Sequence, residues 1–137
     1  MALNWNEIKD RAVRFSKEWE GTTSEDAEAK SFLDAFFEVF GISRKKIGTF
    51  EHRIKKLDDG DGYIDMLWKG HILVEMKSRG KDLDKAFRQA MAYTHGLKSE
   101  ELPKYVLISD FLHFRLYDTE ERITNEFTLP ELSLIHI

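Results

Sequence analysis

The chain has 137 residues, no cysteine and a formal net charge of −4, with 42% hydrophobic and 34% charged residues. This length suits one domain with its own core, and the lack of cysteine excludes disulfides and thiolate zinc sites. No apolar run approaches the ~18 residues of a membrane span. The N-terminus lacks the apolar stretch of a signal peptide, so we expect a cytoplasmic protein without membrane contact.

Apolar residues at helical spacing predict two helices at the start of the chain and a third in its middle. The first covers residues 3–20 and the second residues 25–40, where Gly41 is a natural stop. The third covers residues 82–97, with Asp82 as its N-cap. Each of them carries apolar side chains every three or four positions.

The remaining segments predict strands, at residues 46–57, 63–68, 71–77, 105–109, 111–117 and 122–129. The order of elements predicts an α/β domain whose mixed central sheet is flanked by helices. We assign residues 1–41 to the N-terminal helices, 44–129 to the sheet and third helix, and 130–137 to a tail. The tail is unusually apolar, so it packs on the domain, leads into a larger polypeptide of which this is a fragment, or is not native.

Charge is unevenly distributed along the chain. Residues 43–57 carry six Lys or Arg and one Glu, whereas residues 98–137 carry four basic and eight acidic side chains. The field of the whole protein does not attract a polyanion. A polyanion partner is therefore expected to contact the basic middle of the chain.

The segment YIDMLWKGHILVEMK, residues 63–77, predicts a hairpin that carries the chemistry. A two-residue loop would pair Trp68 with His71 and mix apolar with charged residues on both faces. A three-residue loop, with Gly70 supplying the unusual φ, pairs Trp68 with Ile72 and sorts the faces cleanly. That register sets Asp65 opposite Glu75, about 5 Å apart at Cβ, with Lys77 on the same face.

Two facing carboxylates repel each other, so this register requires compensation. A shared proton, Lys77 or a bound divalent cation could supply it. Oxygen ligands with open water positions are what Mg²⁺ prefers. A cation held there would polarise a phosphate oxygen, and Lys77 would orient or deprotonate the attacking water or steady developing charge.

Asp65, followed after nine residues by Glu75-Met76-Lys77, resembles the core of the PD-(D/E)XK nucleases, with Ile64 in place of the Pro of that name. The wider stretches DGYIDMLWKGHILVEMKSRGKDLDKAFRQAMAYTHGL and ELPKYVLISDFLHFRLYD resemble the N-terminal endonuclease domain of MmeI-type (type IIL) restriction–modification enzymes. The resemblance covers residues 5–130. It implies a restriction-endonuclease-like αβββαβ core and a metal-dependent endonuclease that hydrolyses DNA phosphodiesters.

The resemblance also implies roles for single residues and partners. The metal ligands would be Asp65, Glu75, the Met76 carbonyl and Glu28. The cofactor would be Mg²⁺, with Mn²⁺ as a substitute. Lys77 would act on the water, and Gln89 and Tyr93 match the Gln-X3-Tyr of the RecB-like subgroup. The partners would be double-stranded DNA, methyltransferase and target-recognition domains in the same or another chain, and a second copy for double-strand cleavage.

Each of these residues also has a plain structural interpretation. Asp65, Glu75 and Lys77 would form a solvated sheet face with a Glu–Lys pair. Glu28 would be an acid in a helical first turn, and Gln89 and Tyr93 would edge a packing face. The further candidates for contact with the DNA backbone, Lys55, Arg79, Lys81 and Tyr93, would otherwise belong to solvated surfaces. The alternative function is a catalytically silent nuclease fold that binds DNA or assembles with partners.

Overall fold

The computed structural model describes residues 4–23, 25–43, 49–55 and 61–134, with the backbone alone at 25–27, 49–55 and 61–64. It contains the three predicted helices: α1 (Trp5–Trp19), α2 (Glu25–Val39) and α3 (Leu83–Thr94). The side chain of Asn4 accepts the Glu7 N–H at 2.9 Å and caps α1. Asp82 caps α3 in the same way, accepting the N–H groups of its first turn. None of the helices described here is long and apolar enough to cross a membrane.

A six-stranded sheet runs in the order β1-β2-β3-β4-β5-β6. Its strands are β1 (Thr49–Lys55), β2 (Asp61–Trp68), β3 (Ile72–Met76), β4 (Tyr105–Ser109), β5 (His113–Asp118) and β6 (Ile123–Thr128). All neighbours are antiparallel except β3 and β4, which are parallel and joined through α3. The mixed α/β architecture predicted from the sequence is therefore confirmed, and the parallel pair follows from the helical crossover.

The sheet has helices on both faces, and alternate strand residues serve each face. Met66 and Val74 belong to one buried cluster with residues of α1 and α2. Leu67 and Leu73 belong to a second cluster with residues of α3. Because β-strand side chains alternate, every second residue of β2 and β3 points toward α3. The face covered by α3 is the one that carries the acidic residues.

Phenylalanine rings fill the core between α2 and the sheet. Phe32 is fully buried, and its ring centroid lies 4.9 Å from that of Phe111 and 5.1 Å from that of Phe15. Phe36 stacks on Phe114 at 5.7 Å. Such rings each contribute about 1.5–3 kcal/mol by burial, so α2 is held firmly against the sheet. These phenylalanines therefore serve as core residues.

Several boundaries differ from the sequence prediction, most of them by one or two residues. The third helix ends at Thr94 rather than at residue 97, and β5 begins at His113 rather than at residue 111. Phe111 has a φ of 75° and its N–H donates to Ser109 Oγ, so it turns the chain instead of extending the strand. β1 covers 49–55 of the predicted 46–57, and the flanking residues lie outside those described.

The C-terminal segment packs on the domain as far as it is described. A 3-10 helix over Leu129–Leu134 contacts α1. Leu129 and Leu132 are 1% and 2% exposed, whereas Leu134 is 70% exposed. Packing therefore accounts for the first apolar residues of the predicted tail, and residues 135–137 lie outside the described range.

Candidate active site

The hairpin between β2 and β3 has the three-residue loop that the hydrophobic pattern predicts. Trp68 pairs with Ile72, Leu67 with Leu73 and Met66 with Val74. Gly70 adopts a φ of 77°, and the His71 N–H donates to the Trp68 carbonyl at 2.9 Å. A glycine is favoured here because a side chain strains this conformation. The predicted register is confirmed for these three pairs, whereas the predicted pairing of Asp65 directly opposite Glu75 is not part of the ladder.

Toward the acids, a side chain replaces the backbone ladder. Met66–Val74 is the last ladder pair on that side, and the next bond joins Asp65 Oδ2 to the Met76 N–H at 2.6 Å. β2 continues along β1, where Ile64 pairs with His52. The Asp65 carboxylate thus bridges β2 and β3 where their backbones part. Because Met76 is 0% exposed, this bond satisfies a buried N–H.

Glu75 is buried on the same face, under α3. It is 4% exposed and lies two residues beyond Leu73, which packs with α3. Tyr93 of α3 is 7% exposed in that same cluster. Its burial and the negative charges of Glu75 and Asp65 raise the pKa of Tyr93 to about 12. Tyr93 therefore faces the side of the sheet that carries the two acids, in the cluster formed with α3.

Lys77 extends this face beyond the end of β3. Its N–H donates to the Ser109 carbonyl at 2.9 Å, which continues the parallel pairing of Met76 with Ser109. The Lys77 side chain is half-buried. Lys77 therefore keeps the alternation of the strand and shares a face with Glu75, as the sequence predicts.

The other predicted site residues are placed less centrally. Gln89 is half-buried one turn before Tyr93, Lys81 is exposed, and the side chain of Lys55 lies outside those described. Glu28 is half-buried on α2, whose core residues pack on the face opposite α3. The structure thus places Asp65, Glu75 and Tyr93 on the side of the sheet that α3 covers, and the roles of all the predicted site residues, Glu28 included, stay predictions.

Asp110 is an acidic residue that the sequence reasoning missed. It is 3% exposed and follows β4, next to the position where Ser109 holds Lys77. Burial opposes its ionisation, but bonds from the N–H and ring of His113 and from the Leu112 N–H outweigh burial and lower the pKa of Asp110. The available signal was an Asp directly after a buried strand, which is typical of a turn closed by its side chain. Asp110 accordingly fixes the β4–β5 turn.

The donor atoms of the acid pair suit a hard cation. Asp65 and Glu75 offer carboxylate oxygens on one face, and the Met76 carbonyl lies in the same strand. Oxygen donors of this kind are what Mg²⁺ and Mn²⁺ prefer. Within the described part of the chain, no group of three or more His, Cys, Asp or Glu is arranged to hold a metal. The acid pair alone is thus the candidate, with remaining ligands from backbone or water.

Comparison with known proteins identifies the family. Residues 10–134 match the family described as "MmeI, N-terminal domain". The chain belongs to this family. The resemblance inferred from the hairpin and the segments around it is thereby confirmed over residues 10–134 of the chain. No curated protein sequence matches the chain.

A solved structure shares the fold of this chain. The cryoEM structure of a DrdV–DNA complex aligns with a TM-score of 0.56 at 14% sequence identity. The alignment covers 94% of this chain and 13% of that chain. At this identity the likeness concerns the fold. The present chain thus corresponds in extent to a small part of a much longer protein.

Proposed function

We propose that this chain is the DNA-cleaving module of a restriction–modification enzyme and hydrolyses phosphodiester bonds with the help of Mg²⁺. The observation that carries the proposal is the acid pair on the β2–β3 hairpin, with Lys77 next along the same face. Membership of the MmeI N-terminal domain family and a fold shared with a protein solved with DNA support it. A solvated sheet face would not bury one acid beside another.

The acid pair would hold the metal in this proposal. Asp65 and Glu75 would supply carboxylate oxygens, the Met76 carbonyl would assist, and Glu28 is the further candidate ligand. A bound Mg²⁺, or Mn²⁺ in its place, offsets the repulsion between the acids, polarises a phosphate oxygen and makes bound water more acidic. The bond between Asp65 and the Met76 N–H fixes the orientation of one carboxylate before any ligand arrives.

The neighbouring side chains would handle the water and the nucleic acid. Lys77, held through its backbone by Ser109, would orient or deprotonate the attacking water. Gln89 and Tyr93 would keep the acids in place from α3, and the burial of Tyr93 in the cluster on that face supports this role. Lys81, Lys55 and Tyr93 would contact the DNA backbone, where cations and hydroxyls bind without regard to sequence.

Target choice and assembly would lie outside these residues. We propose double-stranded DNA as substrate, because cleavage by a restriction enzyme requires both strands. Methyltransferase and target-recognition domains, in the same or a partner chain, would deliver the DNA, since the net charge of −4 does not attract it strongly. Two copies of the module would cut the two strands. Each of these partners belongs to the cytoplasm, where we place the protein.

The Lys77→Met variant tests the proposal, with Lys9→Met as matched control. Lys9 is exposed on α1, which packs on the opposite face of the sheet. Loss of a general base or acid costs typically 10²–10⁴-fold in rate. We expect Lys77→Met to cut plasmid DNA at least about a hundredfold more slowly than wild type with Mg²⁺ or Mn²⁺. Its affinity for DNA should be unchanged, and Lys9→Met should cut at the wild-type rate. Equal cleavage by Lys77→Met would contradict the assignment.

A catalytically silent module is the second candidate. The acidic C-terminal part, with four basic and eight acidic residues from 98 to 137, favours a surface that avoids DNA. This alternative predicts that Lys77→Met changes no activity of the assembled enzyme. It also predicts that calorimetric titration with Mn²⁺ gives the same result for wild type, Asp65→Ala and Glu75→Ala. The nuclease proposal predicts weaker Mn²⁺ binding in both variants.

A further inference from the structure

Arg79 occupies a fixed position in the connection between β3 and α3. It follows Lys77 by two residues, and its N–H donates to the Thr23 carbonyl at 2.9 Å. The next residue, Gly80, has a φ of 92°, a conformation that favours glycine. The connection between α1 and α2 therefore anchors the backbone of Arg79 at the same end of the sheet as Lys77.

Arg79 is half-buried, and two of the three nitrogens of its guanidinium lack a hydrogen-bond partner among the described residues. Its Nε and Nη2 atoms are buried, yet neither makes a hydrogen bond to any residue that the structure describes. Arginine stays charged at any physiological pH, so it cannot relieve this cost by losing a proton. Burying an unpaired cation is expensive, and the cost is recovered only when an anion supplies acceptors.

Arg115 shows how this chain treats an arginine with a structural role. Its Nε donates to Glu126 at 2.9 Å and its Nη1 donates to Asp84 at 2.8 Å. These two bonds tie β5 to β6 and to α3. The contrast indicates that the buried nitrogens of Arg79 serve a ligand outside the described fold rather than the fold itself.

We propose that Arg79 binds a phosphate group of the DNA strand, close to the phosphate that is cut; this inference rests on the proposed function. Two residues of extended chain span at most about 7 Å. Arg79 would therefore contact a phosphate within one or two nucleotides of the phosphate that Lys77 reaches. The planar fork of the guanidinium would match two phosphate oxygens at once, after the side chain turns its buried nitrogens toward the strand. The contact positions the strand and carries no sequence information.

Substitutions of Arg79 can distinguish a role in phosphate binding from a role in stabilising the fold. Replacing a buried, uncompensated charge by an apolar side chain of similar length is neutral or favourable for the free protein. Arg79→Met keeps the aliphatic stem and removes the fork, so the free protein should melt at the same temperature or higher. Arg79→Lys keeps the charge without the fork and should restore only part of the phosphate binding.

The test measures affinity for a labelled DNA duplex by fluorescence anisotropy, in EDTA and at several salt concentrations. Arg14→Met is the control, because Arg14 is exposed on α1 across the sheet. We expect Arg79→Met to weaken DNA binding about tenfold. The slope of log K against log salt concentration should fall by about one unit, which corresponds to one counterion fewer released. Arg14→Met should leave both quantities near the wild-type values. Melting curves with and without inorganic phosphate complete the comparison.

Three outcomes would overturn the inference. The first is an equal loss of affinity in Arg79→Met and Arg14→Met, which indicates general charge attraction. The second is unchanged DNA affinity with a lower melting temperature, which indicates a structural arginine. The third is that binding of inorganic phosphate depends on Arg79 whereas binding of the DNA duplex does not. Binding that depends on Arg79 without cleavage under any metal would instead refute the nuclease proposal and leave the phosphate contact standing.

Discussion

The bond between Asp65 and the Met76 N–H allows the structural and the metal-binding roles of Asp65 to be separated. Asp65→Ala removes the acceptor and leaves the buried Met76 N–H without it. Asp65→Asn keeps an oxygen at the same position but removes the negative charge. Both changes remove one half of the acid pair, so both should abolish the metal site.

The magnitudes follow from burial and charge. Leaving the Met76 N–H unsatisfied costs about 1–3 kcal/mol, and relief of repulsion with Glu75 returns about 0.2–1 kcal/mol. We therefore expect Asp65→Ala to lose about 1–2 kcal/mol of unfolding free energy. Asp65→Asn exchanges a hydrogen bond to a charged acceptor for one to a neutral acceptor, and it too relieves the repulsion with Glu75. Its free energy of unfolding should therefore stay within about 1 kcal/mol of wild type.

Thermal unfolding measures the difference, since one kcal/mol corresponds to roughly 3–5 °C at this chain length. In metal-free buffer Asp65→Ala should melt several degrees below Asp65→Asn. Adding Mg²⁺ at about a hundred times its Kd should raise the stability of wild type by about 2.7 kcal/mol, and that of neither variant. Equal melting of the two variants would refute the reasoning about the strand bridge, and an equal Mg²⁺ effect in all three would refute the metal site.

Two further predictions concern the hairpin and α3. Gly70→Ala should lower the free energy of unfolding by about 1–2 kcal/mol through the φ of 77° alone. An added Cβ would meet no close neighbour, because the nearest atom is the Glu100 carbonyl oxygen at 3.8 Å. Chemical denaturation measures this loss, and an unchanged midpoint would contradict the loop geometry. Tyr93 has a pKa of about 12 against 10.0 when unfolded, so its stabilising effect is present below pH 10 and lost between pH 10 and 12. Tyr93→Phe should lack that alkaline loss, and identical alkaline profiles would show that Tyr93 is not beside the acids.

Much of the hairpin could be predicted because hydrophobic alternation leaves few choices. A shift by one residue would have moved Leu67 and Leu73 off the face covered by α3, so the pattern determined the loop length. The face shared by Asp65, Glu75 and Lys77 followed from the same alternation. The mixed sheet was predictable from the order of the elements, and the parallel pairing of β3 and β4 agrees with the helix between them.

The features that were missed depend on contacts that no local pattern encodes. The bond from Asp65 to the Met76 N–H exists because β2 and β3 part beyond Met66, where β2 continues with β1. The left-handed conformation of Phe111 was hidden because its burial against Phe32 outweighs the usual backbone preference. Both are tertiary effects acting on single residues.

A crystal soaked in Mn²⁺ tests the central claim most directly, because anomalous scattering locates the ion without requiring activity. The account predicts a peak under α3 within about 2.0–2.3 Å of carboxylate oxygens of both Asp65 and Glu75. The same peak should be absent from crystals of Asp65→Asn. Manganese bound elsewhere, with the two carboxylates free of metal, would contradict a hydrolytic centre on this hairpin.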